Sequence, residues 1–258
     1  MAFFWAPLAL IVYAAGHLFS QVEAAGTVTL AVLYVCFIVN AWFWGRGVHG
    51  WPAPFGHYGL VFCNYFFKDT AIALILGVSL VAFLFGLEIS LGWATLHTSS
   101  NLAAITLEGL AVGLGIGFAE EFLFRGWLLA ELKTNLSRYS AIFWSGLIFA
   151  VAHFIKPIPE IVSTSPQFFG LLLLGLILGT GRYISRHQSR FVSLGLPIGL
   201  HAGLVWGYYI VDVADLITPS STVPAWVTGI HGNPLSGALG VAILSVLAGF
   251  SWLKLRSK

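Results

Sequence analysis

Two adjacent carboxylates, Glu120 and Glu121, and an arginine four residues on, Arg125, interrupt the otherwise apolar stretch Gly117-Phe118-Ala119-Glu120-Glu121-Phe122-Leu123-Phe124-Arg125-Gly126. Charge at membrane depth is costly and persists mainly where it faces a bundle interior or a watered cavity, so it marks function by default. Two histidines stand in later apolar stretches, His153 after Phe149-Ala150-Val151-Ala152 and His201 within Gly199-Leu200-His201-Ala202-Gly203. A carboxylate beside an imidazole can hold a water and take its proton, which is general-base chemistry for hydrolysis. A second imidazole that donates a hydrogen bond can stabilise the oxyanion of a tetrahedral intermediate. The same carboxylate and two imidazoles are also chemically sufficient to bind zinc.

The chain that must position these groups is built for lipid. Of 258 residues, 58% are hydrophobic and 9% charged, and the mean hydropathy is +0.90, outside the range of soluble globular domains. The expected fold is all-α, a polytopic transmembrane helix bundle of about eight spans, judged by the roughly 20 apolar residues a span needs. These spans are Phe3–Phe19, Thr27–Trp44, Ala71–Trp93, Ile105–Leu132, Ser140–Phe154, Phe168–Ile184, Leu194–Val211 and Leu235–Leu253. No basic residue precedes the apolar run that starts at Phe3, unlike a secretory signal, so it is read as the first span. The Gly45–Asp69 connection, rich in Trp, Tyr, Phe and Pro, reads as an interfacial segment. Residues 1–100 are expected to hold the N-terminal helices, 101–245 the core that carries the chemistry, and 246–258 the end of the last span and a basic tail.

Ten of the 12 basic residues fall on one side of this arrangement, with Lys156 alone in a loop on the other and Arg125 inside a span. The positive-inside rule then puts both termini in the cytoplasm. No basic run or aromatic-basic module suggests nucleic acid. Cys36 and Cys63 stand in apolar surroundings without CxxC spacing and read as packing residues.

At about 1.5 Å per residue from the cytoplasmic positives, Glu120, His153 and His201 lie roughly 18–20, 20 and 15 Å deep. Three ionisable groups on three spans thus share one depth. Gly109, Gly113 and Gly117 lead in four-residue steps to Glu121 and Arg125, and Gly195, Gly199, Gly203 and Gly207 run past His201. Such small-residue ridges let helix backbones approach closely in lipid. Glu121 and Arg125 have the favourable order for an intrahelical ion pair and read as a charge-compensating pair. Glu120, about 100° away around the helix, is left as the candidate with free chemistry.

The pattern Glu120-Glu121-x-x-x-Arg125, Phe149-x-x-x-His153 and His201, in order on successive apolar spans, resembles the CAAX-processing and bacteriocin-processing (CPBP, or Abi) intramembrane proteases, related to the Ras-converting CAAX endopeptidase. The resemblance covers residues 105–210, and Trp226-Val227-Thr228-Gly229 with Asn233-Pro234-Leu235 extends it to about 245. It implies a glutamic endopeptidase of a bacterial inner membrane, with no cofactor or required metal, acting on membrane-associated peptides or proteins. Glu120 and His153 would activate water, His201 would contribute to the oxyanion hole, and Glu121, Arg125 and Phe149 would support the site. Members commonly carry Asn or Asp four residues after the last histidine. Here that position is Val205, which cannot donate to an oxyanion, so either the hole works with one donor fewer, or a nearby group such as Trp206, Tyr208 or Tyr209 substitutes, or the protein no longer cleaves.

Other readings remain open on the sequence. There is no HExxH or GxSxG motif for a zinc or serine intramembrane protease. Asp212 and Asp215 read as solvated loop acids rather than an aspartyl dyad, and Glu88 and Glu108 as interfacial. A proton-coupled transporter would be expected to show an internal repeat, and none is evident. The alternative from a different class is a catalytically silent scaffold or bacteriocin-immunity protein, which Val205 favours.

Overall fold

The computed structural model describes residues 9–12, 14, 15, 17, 18, 22–185, 187, 188 and 191–257. Most of the expected first span, and Arg186, Arg190 and Lys258, lie outside them. Among the described residues six helices are long and apolar enough to cross a membrane, and a seventh apolar helix, Arg138–Ala152, is shorter. The fold is an all-α polytopic bundle, and the chain is an integral membrane protein.

Packing divides the chain after His57. The first unit contains α1 (Val22–Gly47) and the short α2 (Pro54–His57). Its connection folds back on itself: Trp51 stacks between His49 and His57, at ring separations of 4.2 and 4.3 Å. Arg46 lies over Trp42 and donates to the Pro52 carbonyl.

The second unit runs α3 (Asn64–Ser90), α4 (Leu102–Glu121), a π-helical segment (Phe122–Leu128), α5 (Leu129–Lys133), α6 (Arg138–Ala152), α7 (Ile158–Thr164), α8 (Phe168–Ile184), α9 (Gly195–Val213), α10 (Ala225–Thr228) and α11 (Ala238–Arg256). A strand β1 (Ala94–Leu96) pairs antiparallel with Ile217–Pro219, and His187–Gln188 pairs with Phe191–Val192. Tyr65 to Asp69, expected in the interfacial connection, instead form the first turns of α3, where Phe66 and Asp69 are buried.

Helix α9 is held between α3 and α4, and glycine makes this geometry. A Cβ at Gly117 of α4 would stand 2.9 Å from the Ala202 backbone nitrogen, and one at Gly113 would stand 2.7 Å from the Ala202 carbonyl. On its other side, the glycines of α9 press against α3: Gly199 meets the Thr70 carbonyl and Gly203 the Leu74 carbonyl. Residues 64–90, assigned by sequence to the N-terminal segment, therefore help to brace the histidine helix.

Two features of the polar segment differ from expectation. The continuous α-helix expected over 105–132 changes register at Phe122 into the π-helix, a geometry found mostly at functional sites. Its Phe124 carbonyl accepts from the Leu129 N–H and from the Ser145 hydroxyl at 2.9 Å, so the irregular backbone is satisfied inside the bundle. The fifth expected span also falls short: α6 has 15 residues, about 22 Å at the helical rise, and stops at His153 short of a full bilayer thickness.

Candidate active site

Glu120, at the end of α4, meets His153 from the end of α6 and His201 from the middle of α9. Glu120 Oε2 lies 3.9 Å from Nε2 of each imidazole. That is too long for a direct hydrogen bond, but it is a separation that one water off the connecting line would bridge. Glu120 Oε2 has no hydrogen-bond donor among the described residues. The side chains of Glu120 and His153 are 31% and 33% exposed, against 6% for His201.

Each imidazole is oriented through its other nitrogen. His153 Nδ1 lies 2.8 Å from the Phe149 carbonyl, which can only accept, so the proton sits on Nδ1 and the Nε2 lone pair is turned toward Glu120. The backbone explains the contact: α6 ends at this residue, the His153 N–H turns to the Val151 carbonyl, and the imidazole covers a last-turn carbonyl that the helix leaves open. His201 Nδ1 lies 2.9 Å from Glu121 Oε1, so this Nδ1 donates to the carboxylate and directs Nε2 toward Glu120.

Behind the three groups is a fully buried layer. Glu121 Oε1 accepts from Arg125 Nη1 at 2.7 Å, both side chains having no exposure, and Arg125 Nη2 donates to the Gly175 carbonyl at 3.1 Å. The Phe149 ring lies 4.2 Å from the Arg125 guanidinium carbon and 4.6 and 6.0 Å from the two imidazoles. Charge-compensating pairing of Glu121 with Arg125 is thus present, with a further link that the helical spacing did not reveal: the same carboxylate oxygen fixes His201. Ser145 was also missed, because a buried serine in an apolar helix carries no signal of a π-helical carbonyl opposite it.

A cavity of about 350 Å³ opens on Glu120, His153 and His201. Most of its wall is aliphatic, including Leu80, Leu84, Leu171, Leu204 and Leu244, and Val205 and Tyr208 face it too. The Tyr208 hydroxyl donates to Asp212 at 3.3 Å. Trp206 is absent from that wall and donates its indole N–H to the Thr106 carbonyl at 2.9 Å. Tyr209 lies against Gly109 and does not line the cavity. Asp212 and Asp215 are exposed. Glu88, expected at the interface, is instead 1% exposed, with Oε1 lacking a donor among the described residues.

Residues 104–207 match the family model described as type II CAAX prenyl endopeptidase, Rce1-like. No curated protein and no solved structure matches the chain. The matched segment contains Glu120, Glu121, Arg125, Phe149, His153 and His201, and ends two residues beyond Val205.

Proposed function

We propose that this chain, a member of the CAAX protease family through residues 104–207, is an intramembrane endopeptidase in which Glu120 and His153 activate a water without a metal. The observation that carries the reading is the convergence of Glu120 Oε2 and two imidazole Nε2 atoms at 3.9 Å. A water in that gap can give one hydrogen bond to Glu120 and the other to the His153 lone pair, leaving its oxygen lone pair for a peptide carbonyl. As the oxygen–carbon bond forms, the water's proton passes to Glu120 and the carbonyl electrons move onto oxygen. Glu120 then returns the proton to the leaving nitrogen as the carbon–nitrogen bond breaks. His201, when it carries a second proton on Nε2, donates to the oxyanion while Glu121 balances the charge on the ring. Likeness to CAAX prenyl endopeptidases points to CAAX peptides, and the aliphatic cavity beside the site suits apolar residues next to the bond that is cut.

The test is cleavage of a membrane-presented peptide library by the purified protein. Glu120→Ala and His153→Ala should each abolish cleavage and leave the protein folded. Equal cleavage by the wild type and Glu120→Ala would refute the assignment. Val205 favours the second reading, a silent CAAX protease-like scaffold or immunity protein, which predicts no cleavage by any form.

A further inference from the structure

The side chain that Val205 does not supply has a counterpart elsewhere on the cavity wall. Asn233, beyond α10, lines the same cavity as Glu120, His153, His201 and Val205. Its Oδ1 accepts from the Leu235 N–H at 2.9 Å, which fixes the amide orientation because a backbone N–H must meet the oxygen. The Nδ2 group is left with two donor hydrogens and no acceptor among the described residues, on a residue at the cavity wall. The alternatives in α9 are spoken for or face elsewhere: Trp206 is bonded to Thr106 and Tyr208 to Asp212, and Tyr209 does not line the cavity.

The loop holding Asn233 is built for a fixed position. The Asn233 carbonyl accepts from the Ser236 hydroxyl at 2.8 Å and the Ser236 N–H at 3.0 Å, and the same hydroxyl accepts from Ile230 N–H at 2.8 Å. Gly229, at φ 136°, lets the chain turn under the Asn233 carbonyl. Two helix glycines clasp the loop from outside, Gly170 of α8 against the Leu235 carbonyl and Gly240 of α11 against the Pro234 carbonyl. A donor held this way pays no reorganisation when charge develops on a substrate, the condition under which oxyanion stabilisation is strongest.

We infer that Asn233 Nδ2 is the oxyanion donor that replaces the side chain missing at Val205, delivered from the loop before α11 rather than from α9. This rests on the proteolytic reading above, and it makes Asn233 a catalytic residue that touches the reacting oxygen.

Asn233→Ser is the discriminating variant, since a serine oxygen can still cap Leu235 N–H while the neutral side chain is too short to reach the substrate. Its kcat should fall about 100-fold, the typical loss on removing one such donor, with KM almost unchanged. Adding Val205→Asn to Asn233→Ser should recover at least about a tenth of the lost rate by restoring a donor from the helix. A kcat for Asn233→Ser within about two-fold of wild type would overturn the assignment. So would a loss that Val205→Asn does not relieve, which would make the loop merely structural.

A binding arm keeps the donor testable in a protein that does not turn over. A leucyl-leucine phosphinate, tetrahedral and anionic at phosphorus, is titrated against the amide of the same sequence in detergent. Asn233→Ser should weaken the phosphinate about ten-fold and leave the amide unchanged. Equal phosphinate affinity in the variant and the wild type would overturn the donor role. Absence of cleavage by the wild type, with this phosphinate difference intact, would refute the proteolytic reading alone.

Discussion

Replacing Glu121 by glutamine separates the two neighbouring acids more sharply than any other single change. Its Oε1 serves two donors, Arg125 at 2.7 Å and His201 at 2.9 Å, and neither Glu121 nor Arg125 has side-chain exposure. The glutamine is nearly isosteric, so packing survives while the negative charge is lost. Arg125 then faces a neutral amide oxygen in place of the carboxylate, with the Gly175 carbonyl and the Phe124 and Phe149 rings as its other partners. Removing one member of a buried ion pair costs about 3–5 kcal/mol, because an uncompensated charge remains. Partners found in the unfolded membrane state soften polar contacts in lipid, so the lower end, about 3 kcal/mol, is the expected value. Glu120→Gln should cost about 1 kcal/mol or less, since its Oε2 has no donor to lose. Reversible unfolding of the purified protein by increasing SDS mole fraction, followed by far-UV circular dichroism, measures both. Arg125→Met made together with Glu121→Gln should recover much of the stability, because an apolar replacement of a buried pair is often neutral. The reasoning fails if Glu121→Gln unfolds with the wild type, or if the double variant is less stable than the sum of the two single losses.

Three further outcomes follow from the packing. Gly117→Ala places a Cβ 2.9 Å from the Ala202 backbone and Cβ, so α9 must move and carry His201 with it; peptide cleavage should fall at least ten-fold, since about 1 Å of misplacement can cost 100-fold. Ser145→Ala removes one of two bonds to the Phe124 carbonyl and should lower stability in the same SDS titration by about 1 kcal/mol, the usual net value of a hydrogen bond. Cleavage should survive dialysis against EDTA and 1,10-phenanthroline at full rate, and a loss restored by zinc would replace the water-activation scheme with metal chemistry.

What was legible depended on whether the information lay within one helix or between helices. Apolar run length exposed most of the bundle, and four-residue spacing exposed the Glu121–Arg125 pair, because both are properties of a single element. Depth placed Glu120, His153 and His201 at one level, and the structure brings their side chains together. The π-helical register at Phe122 was not legible, since its support is a hydroxyl 21 residues away in sequence. Nor was the early start of α3 at Asn64, where Phe66 is buried with its carbonyl against Gly195 of α9 while Tyr65 and Phe67 stay exposed.

The same distinction explains why the chemistry of Glu121 was read only halfway. Spacing along α4 supplies Arg125 as a partner and gives no reason to look 80 residues onward for His201. Yet the bond to His201 is what makes the carboxylate pair more than a compensated charge. One acid faces the cavity and has no donor of its own, while its neighbour, turned away around the helix, holds an arginine and sets which nitrogen of His201 faces the first acid. The adjacency of Glu120 and Glu121 therefore couples two orientations: the turn of α4 that carries the acid also carries the carboxylate that holds His201. Fixing that coupling requires backbones in near contact, and the small faces of Gly113 and Gly117 against Ala202, one residue beyond His201, provide it.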